Sequence, residues 1–413
     1  MIQGLKENRT QFTLLVLANA FVGAMVGLER AVMPEYADSR FSVSGHTALL
    51  SFIAAFGFTK AIFNLLTGEL HRFYTRKQVL LAGWLFGMPV PLLLLYGTDW
   101  WMVVVANVLL GINQGLAWSS TVIMKVDLVG TRNRGLAMGI NEFAGYLAVG
   151  AAGYLATTLA THYGPGYAPF VPALFFAAAG FLLTLFFIKD TSGFVALEQQ
   201  QTTQHLYPQL WKQVSYRHFN MGTVSINGFI NNLNDGVIWG LLPVWLLSNH
   251  YSLSEVGALA AIYPAVWGIS QLFAGKLGDL YCKKQLITLG MLLQAASLLA
   301  MVVSAALPVV IVSMILLGLG TGLVYPNFLT VIAENLAPQQ RSRGLSMYRF
   351  WRDSGYVAGA IGAGLLADFL NIPAVFLVVA LLTAGGGLLA NLRMCCTYKL
   401  LWRSHTCTEA AAF

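Results

Sequence analysis

Polar and ionisable side chains inside otherwise apolar segments are the residues of this sequence that could do chemistry. An ionisable group at the centre of a bilayer costs about 2.5–3.5 kcal/mol on the membrane-insertion scale, so each one needs a partner or a task. The chemistry open to them is reversible protonation, ion pairing and recognition of a small solute. We select for substrate or proton binding Glu29, Arg30, Lys60, Asn113, Gln114, Trp118, Glu142, Asn231, Asp235, Trp239, Tyr325, Asn327 and Arg352.

The densest polar patch surrounds Asp235. Asn231, Asp235 and Trp239 are spaced four residues apart and therefore share one face of a helix. Burial disfavours the charged form of a carboxyl group, so Asp235 could exchange a proton during a transport cycle. A run of Asn and Asp also favours a local helix break of the kind that lines substrate sites. We predict that this patch binds solute or protons, and the alternative is that it makes only interhelical hydrogen bonds.

Three charged residues of the first two apolar segments each allow two interpretations. Glu29 and Arg30 are adjacent near the end of the first segment, where they form either an anchor for the helix end or an extracellular gate. Lys60 lies in the middle of the second segment, where it needs a carboxylate or a substrate anion.

Arg352 has the same need, because its guanidinium group does not lose its proton. Its carboxylate could come from Glu142, from Asp235 or from an anionic substrate, and the alternative is a structural or gating network with Arg349 and Asp353. Helix packing and solute contact both stay open for Asn113, Gln114, Trp118, Glu142, Tyr325 and Asn327, and Tyr325-Pro326-Asn327 predicts a helix break.

The elements that position these residues are membrane-spanning helices. Of 413 residues, 57% are hydrophobic and 10% are charged. A soluble domain holds roughly 25% charged residues, so a soluble enzyme, a disordered chain and a nucleic-acid binder are excluded. The apolar runs are too long and continuous for barrel strands, which leaves helices as the spanning structure. Twelve helices are predicted over residues 11–34, 45–68, 78–97, 100–124, 134–160, 168–188, 220–247, 254–276, 284–305, 307–332, 342–369 and 372–394.

Basic residues gather in alternate connections between these segments. One set of connections holds nearly all loop Lys and Arg residues, among which we count Lys125, and the opposite set holds Arg40 alone. By the positive-inside rule, both termini and the connection 189–219 face the cytoplasm. The net charge of +7 is therefore a topology signal and does not indicate a nucleic-acid partner.

An internal repeat divides the chain into two halves. Gly111 and Gly115 correspond to Gly318 and Gly322 at an offset of 207 residues, and the segment that begins at Gly68 corresponds at the same offset to the one that begins at Gly275. Two repeated halves are typical of a transporter with a central cavity. The predicted domains are a six-helix bundle, a polar, mobile cytoplasmic linker and a second six-helix bundle with a short cytoplasmic tail, at residues 1–188, 189–219 and 220–413.

The repeated loop resembles the signature of the major facilitator superfamily. Its glycine, acidic and basic positions are matched best in the second half, whereas Arg72 stands where the first half should carry an acid. The resemblance implies an all-α fold of twelve transmembrane helices in two pseudo-symmetric bundles, alternating access and a cytoplasmic charge clasp that holds the outward-open state. The gating residues that we select are Gly68, Arg76, Lys77, Gly275, Asp279, Lys283, Lys284, Arg349 and Asp353.

The function that we expect is secondary transport of a small molecule or ion across the cytoplasmic membrane. No Walker A sequence or nucleophile motif occurs, so we expect neither ATP drive, nor an enzyme, nor a cofactor or metal. Four cysteines indicate no disulfide framework. We expect a monomer driven by protons. Tryptophans and few cavity charges favour efflux of amphiphilic compounds, and the alternative is uptake or exchange of a small anion.

Overall fold

The computed structural model describes residues 2–42, 46–130, 133–164, 166–201, 206–369, 371–396 and 399–402. These residues form helices and their connections, and no β-strand occurs among them. The helices are α1 Arg9–Phe41, α2 His46–Leu70, α3 Arg76–Gly87, α4 Pro89–Tyr96, α5 Trp100–Asn113, α6 Ser119–Val129, α7 Arg134–Tyr163, α8 Val171–Phe186, α9 Ser192–Gln201, α10 Leu210–Lys212, α11 Phe219–Ser248, α12 Leu253–Leu280, α13 Lys283–Val303, α14 Leu307–Glu334, α15 Pro338–Phe369 and α16 Ile372–Arg393.

The all-helical prediction is confirmed, and two predicted spans are each formed by two consecutive helices. The third span is α3 followed by α4, which meet at Met88 where Pro89 starts the new helix. Proline suits a first helical position because the backbone donor that it lacks would have no partner there. The fourth span is α5 and α6, joined by a π-helical turn at Gln114–Trp118.

The described residues include nine helical segments that are long and apolar enough to cross a membrane. The protein is therefore a multi-pass membrane protein. α11 is not one of the nine, because it carries Asn231, Asn232, Asn234 and Asp235 along its middle. All four side chains are buried, so neighbouring helices shield this polar stretch.

The chain forms two compact units. The first unit contains Met1–Gly130 and Asn141–Thr203, and the second contains Thr131–Ile140 and Gln204–Phe413. The first turns of α7 therefore pack with the second unit, although they precede the middle of the sequence. The division of the sequence into bundles on either side of a linker at 189–219 stays a prediction.

Glycines occupy equivalent places in the two units. A Cβ atom added to Gly111 of α5 would lie 2.7 Å from the carbonyl oxygen of Phe56 in α2. One added to Gly318 of α14 would lie 2.8 Å from the carbonyl oxygen of Tyr263 in α12. Phe56 and Tyr263 are separated by the same 207 residues as the two glycines, so both units use one helix-pairing scheme that depends on small residues.

The first helix of each unit follows the same scheme. Gly23 of α1 faces the backbone of Gly145 in α7, and Gly355 of α15 faces the backbone of Phe229 in α11. Gly145 and Gly355 are equivalent in the internal repeat at an offset of 210, so Gly23 is equivalent to Phe229. This structural register gives α1 and α11 an offset of 206, which the sequence alone had not revealed.

Two predicted helix breaks are wrong. α11 is continuous from Phe219 to Ser248, and α14 continues through Pro326. Membrane helices tolerate proline because nearby side chains and neighbouring helices satisfy the backbone groups around it. Here the Asn327 amide donates to the carbonyl oxygen of Leu323 at 2.7 Å, within the same helix.

Lys125 does not lie in a cytoplasmic loop, as the charge count had assumed. It is buried in α6, where its ammonium group donates to the side-chain oxygen of Asn141 in α7. The expectation of no disulfide is also wrong, because Cys282 is bonded to Cys396. These cysteines flank the packed helices α13 and α16 but are 114 residues apart, so their spacing carried no signal.

The second part of the predicted linker is docked on α15. The Tyr207 backbone amide donates to Gln340 Oε1 at 3.0 Å, and Gln340 Nε2 donates to the Tyr207 carbonyl oxygen at 2.8 Å. Trp211 packs against Phe350 and Trp351 with ring centroids 5.8 Å apart. This part of the linker forms α10 and a π-helical turn at Gln213–Arg217, and its contacts hold it against α15.

We expect that Gly111→Ala lowers the thermal stability of the protein, because the new methyl group would press on the α2 backbone. Overpacking of this kind typically costs about 1–3 kcal/mol. The matched control is Gly150→Ala in α7, where an added Cβ meets nothing within 4 Å. Thermal unfolding of both purified variants checks this, and equal melting temperatures would show that the glycine contact is not important.

Candidate functional site

A buried carboxylate lies in the first helix of the first unit. Glu29 is 1% exposed and accepts a hydrogen bond from the side-chain amide of Asn107 in α5. Its second carboxylate oxygen has no hydrogen-bond partner within the described residues. The Asn107 amide is a neutral donor, so it can hydrogen-bond to the Glu29 carboxyl group whether or not that group carries a proton. Asn107 was missed from the sequence because it is a single amide in an apolar run.

Arg30 and Lys60 converge on one aromatic ring. The guanidinium carbon of Arg30 lies 4.9 Å from the ring centroid of Phe56, and the Lys60 ammonium lies 5.9 Å from it. Both distances are within the range of a cation–π contact. The structure thus brings two candidate residues from α1 and α2 together, and Phe56 had not been selected.

A second polar network of the first unit contains Glu142 and Trp118. The Trp118 indole donates to Glu142 Oε1 at 3.1 Å, and the Asn141 amide donates to the same oxygen at 2.7 Å. Lys125 reaches this network through Asn141. A buried acid and a buried base therefore share one amide, which the sequence did not reveal because Lys125 had been counted as a loop residue.

Asn113 and Gln114 have different environments although they are adjacent. The Asn113 amide donates to the Gly83 carbonyl oxygen at 2.9 Å, which joins α5 to α3. Gln114 opens the π-helical turn, and its side-chain oxygen has no hydrogen-bond partner among the residues that are described. π-Helical turns occur frequently at functional sites. Asn113 thus has a packing role, and Gln114 stays a candidate for solute contact.

In the second unit Asp235 lies at the position equivalent to Glu29, at the offset of 206. It is 3% exposed and accepts a hydrogen bond from the hydroxyl group of Tyr263, which also contacts Thr321 at 3.3 Å. The two units therefore each place one buried carboxylate on their first helix, opposite a neutral donor from a neighbouring helix.

Aromatic rings surround this carboxylate. Tyr263 stacks on Trp267 with centroids 5.8 Å apart and an interplanar angle of 17°, and it lies 6.3 Å from Trp239. Trp239 is 44% exposed, so its ring is accessible from outside the unit. Tyr263 thus contacts both Asp235 and Trp239 of the predicted helix face, and sequence reasoning missed it.

The other polar residues of α11 divide into two groups. Asn234 donates to Gln294 at 2.9 Å and accepts from Thr383 at 3.0 Å. Asn232 donates to the Arg352 carbonyl oxygen at 3.0 Å. Neither amide atom of Asn231 has a hydrogen-bond partner in the described ranges, although the side chain is 1% exposed. Asn232 and Asn234 join helices, whereas Asn231 makes no hydrogen bond that would do so within the described residues.

The arginines of α15 form a network with Tyr325. Arg352 lies over the Tyr325 ring at 4.2 Å and donates to Asp353 at 3.0 Å. Arg349 Nη2 lies 3.5 Å from the Tyr325 hydroxyl group. The carboxylate at Arg352 is thus that of Asp353, which belongs to the network given as the alternative from the sequence. Asn327 of α14 reaches the Ala274 carbonyl oxygen in α12 at 3.5 Å, which is a packing contact.

The gating candidates of the first unit form a buried ion pair. Arg76 lies 3.5 Å from Asp127 of α6 and donates to the His71 carbonyl oxygen at 3.1 Å. Asp127, which had not been selected, is thus the acid that pairs with this candidate. Lys77 donates to the Leu185 carbonyl oxygen at the end of α8 at 2.9 Å. Gly68 is buried in the last turns of α2.

The gating candidates of the second unit hold the start of α7. Asp279 accepts hydrogen bonds from the backbone amides of Gly135 and Leu136 at 2.9 and 3.0 Å. A carboxylate is favourable there because helix N-termini carry free donors and a partial positive charge. Gly275 faces the Gly135 backbone directly. Lys283 pairs with Glu334 at 3.1 Å, and Lys284 is buried beside it in α13.

Comparison with known proteins identifies the same family over the whole fold. A sequence model described as Major Facilitator Superfamily matches residues 15–221 and 224–404. The chain is 24% identical over 388 residues to a multidrug resistance protein MdtG from Salmonella arizonae, which covers 90% of this chain and 92% of that protein. The MdtG protein from Salmonella typhi is also 24% identical, over 387 residues with the same coverage.

Solved structures show the same fold at low sequence identity. The crystal structure of the human organic anion transporter MFSD10 superimposes with a TM-score of 0.77 at 14% identity, over 93% of this chain and 99% of that chain. The Escherichia coli fucose:proton symporter FucP superimposes with a TM-score of 0.75 at 13% identity, over 93% and 98% of the two chains.

We expect the stability of the protein to fall as the pH is lowered, through His71. Burial and the positive charge of Arg76 hold the pKa of this imidazole well below its ordinary value of 6.5. Below pH 6.5 the imidazole of His71 binds a proton in the unfolded chain but not in the folded chain. The free energy of unfolding therefore has its full value above that pH. It decreases by about 1.4 kcal/mol per pH unit below it.

His71→Gln keeps a polar contact to Ser120, which lies 3.3 Å from the imidazole, but cannot titrate. The melting temperature of this variant, measured between pH 7.5 and 5, should depend less on pH than that of the wild type. Parallel pH profiles for the two proteins would contradict the assignment to His71.

Proposed function

The chain belongs to the major facilitator superfamily, and on this premise we propose that it is a proton-coupled secondary transporter that exports an amphiphilic solute by alternating access. The family is one of transporters rather than enzymes. We further propose that it lies in a cytoplasmic membrane with both termini in the cytoplasm. The division into two bundles, residues 1–188 and 220–413, is part of this proposal.

The proposal of proton coupling rests on the carboxylate of Asp235 and its contact with Tyr263. A neutral hydroxyl donor stabilises the carboxylate without adding a full positive charge. The free energy of protonation then depends strongly on whether water reaches the group, because desolvation disfavours the charged form. Alternating access changes that exposure, so a proton can be taken up on one side and released on the other. Glu29 is the equivalent candidate in the first unit, and Glu142 is a third.

The surroundings of Asp235 support an amphiphilic solute. The accessible ring of Trp239 and the stacked rings of Tyr263 and Trp267 offer apolar surface, and Asn231 offers an amide without a hydrogen-bond partner among the described residues. Such pockets combine apolar surface with a few polar groups. The MdtG relatives, whose name describes multidrug resistance, support the direction of export.

A second function, uptake or exchange of a small anion, is favoured by Arg30 and Lys60 at the Phe56 ring. The two functions differ in direction. Everted membrane vesicles that accumulate solute when the interior is acidified support export, whereas accumulation by right-side-out vesicles supports uptake.

The gating residues suggest how the cycle could be controlled. We propose that the contact of Asp279 with the first turn of α7 and the Arg76–Asp127 pair are cytoplasmic clasps that form in one state of the cycle and open in another. Both depend on a carboxylate that accepts hydrogen bonds or pairs with a cation. Each clasp uses short contacts between helix ends, which small helix movements can break.

We expect that Asp235→Asn abolishes proton-coupled transport while expression and folding stay normal, because asparagine retains the hydrogen bond to Tyr263 but cannot release a proton. Proteoliposomes loaded with a pH-sensitive dye report proton movement when ethidium or 2-naphthoate is added. The matched control is Glu255→Gln, which removes a fully exposed carboxylate of the same unit. Full proton movement by Asp235→Asn would refute this assignment.

The two groups of asparagines in α11 lead us to expect different melting temperatures for their alanine variants. Asn234→Ala should lower the melting temperature by an amount equivalent to about 1–3 kcal/mol, because it removes the buried hydrogen bonds to Gln294 and Thr383 and leaves Gln294 Oε1 without this donor. Asn231→Ala should leave the melting temperature within a degree of wild type. Thermal unfolding of the two purified variants measures this, and a larger loss for Asn231→Ala would show that it is a structural residue.

A further inference from the structure

Basic side chains of the second unit lie where α11 begins and α16 ends. Arg393 is the last residue of α16, and its guanidinium group donates to the carbonyl oxygen of Tyr216 and, at 3.3 Å, to that of Arg217. Arg217 ends the π-helical turn that precedes α11, and its side chain is exposed, as is that of Lys212 at the start of this turn. The hydrogen bonds of Arg393 therefore join α16 to the linker and place its charge at the backbone of Arg217.

The chain brings no acid of its own to this place. Residues 199–234 and 369–408, the segments that form it, contain neither Asp nor Glu. Lys212, Arg217 and Arg393 make no ion pair within the described part of the chain. Neighbouring cations repel each other, and more strongly where water is partly excluded. The arrangement therefore favours an anion from outside the chain.

Aromatic rings surround these cations. Trp211, Tyr216 and Phe219 are all exposed, and the guanidinium carbon of Arg393 lies 5.9 Å from the ring centroid of Phe219. Tryptophan and tyrosine are enriched at the interface between a membrane and water, where one end of the ring is apolar and the other is wet. The rings indicate that this end of the two helices lies at the level of the lipid head groups.

An apolar groove follows the seam between α11 and α16. Its volume is about 480 Å³, and it is lined by Ile230 of α11 and by one side of α16 between residues 378 and 389. Every side chain that lines it is a hydrocarbon. Gly385 lies in its wall, and a Cβ atom added there would meet nothing within 4 Å, so the space beside this glycine is open.

The groove has the length of a lipid chain. Residues 378–389 of a helix rise by about 16 Å. The hydrocarbon layer of one leaflet is about 15 Å deep, half of the bilayer core. Leu389, at one end of the groove, lies one helical turn before Arg393. A chain in the groove would therefore place its head group at the cations.

We propose that an anionic phospholipid binds at the seam between α11 and α16, with its phosphate at Arg217 and Arg393 and one acyl chain in the groove beside Gly385. A soluble phosphate would use the cations but not the hydrocarbon groove that adjoins them. The proposed orientation places this end at the cytoplasmic leaflet, whose lipids carry negative charge. Binding depends on neither the solute, the direction nor the coupling ion of transport.

The test is native mass spectrometry of the purified full chain in detergent, which counts the lipids that stay bound. The probes are anionic dioleoylphosphatidylglycerol, dioleoylphosphatidylcholine with the same chains and no net charge, and glycerol 3-phosphate without chains. We expect phosphatidylglycerol to bind about tenfold or more tightly than phosphatidylcholine, and glycerol 3-phosphate not to compete with it at equal concentration. The preference should decrease as the ammonium acetate concentration rises, because the cations are partly exposed.

A charge substitution tests the head-group contact. Arg217→Gln should weaken phosphatidylglycerol binding about fivefold, the effect expected of one basic residue near an anionic surface, and leave phosphatidylcholine unchanged. Arg217→Lys should retain most of the binding. The matched control is Arg9→Gln, which removes an exposed arginine at the start of α1 and should bind both lipids as the wild type does.

A groove substitution tests the chain contact. Gly385→Leu should weaken binding of both lipids severalfold and by the same factor, because leucine fills the groove but leaves the cations in place. The matched control is Gly150→Leu in α7, where an added Cβ also meets nothing within 4 Å. Melting temperatures without added lipid show whether each variant is folded. If Arg217→Gln melts well below the wild type, Lys212→Gln takes its place, because that side chain is exposed as well.

Several results would overturn the proposal. These are equal binding of phosphatidylglycerol and phosphatidylcholine, an equal loss for Arg9→Gln and the folded glutamine variant of the site, or equal lipid binding by Gly385→Leu and Gly150→Leu. Competition by glycerol 3-phosphate as strong as that of the lipid would also overturn it, because the site would then be one for a soluble phosphate.

Discussion

The lipid bilayer supplies no hydrogen-bond partner to the backbone, and the rest of this structure depends on that constraint. Each span must satisfy its own amides and carbonyls, so the described residues are helical and even Pro326 lies inside a continuous helix. Helices of this kind gain little from apolar burial against one another, because lipid is equally apolar. Close contact at small residues stabilises the helix pairs instead. Examples are Gly111 and Gly318, where a single added Cβ would meet a backbone oxygen of the neighbouring helix.

The same constraint gives meaning to the polar side chains. A polar group inside the protein is stable only when it is paired, and most of the candidate residues are paired within their own unit. Asn113, Asn232, Asn234 and Asn327 join helices. Among the other candidates, both amide atoms of Asn231, the side-chain oxygen of Gln114 and one oxygen of Glu29 have no hydrogen-bond partner within the described residues.

Comparison of equivalent positions in the two units distinguishes the features that both units share from those that differ between them. Equivalent positions keep the glycine contacts and keep one carboxylate, Glu29 in one unit and Asp235 in the other. They differ in the donor to that carboxylate, which is the Asn107 amide in the first unit and the hydroxyl group of Tyr263, stacked on Trp267, in the second. The ends that carry the gating candidates also differ: Asp279 stands at the acidic position of the repeated loop, whereas in the first unit Arg76 pairs with Asp127 of another helix.

The sequence by itself determined the helices and their approximate bounds, the repeat and the short set of membrane-embedded charges. These follow from hydrophobicity and residue spacing along the chain, which act locally. Only the tertiary structure decided the partners. Glu29 meets Asn107, Asp235 meets Tyr263, and Arg30 and Lys60 share Phe56 because separate helices approach at glycines, and no local pattern encodes which faces meet. Lys125 was misplaced for this reason: its charge suggested a loop, and its buried contact with Asn141 of α7 is visible only in the tertiary structure.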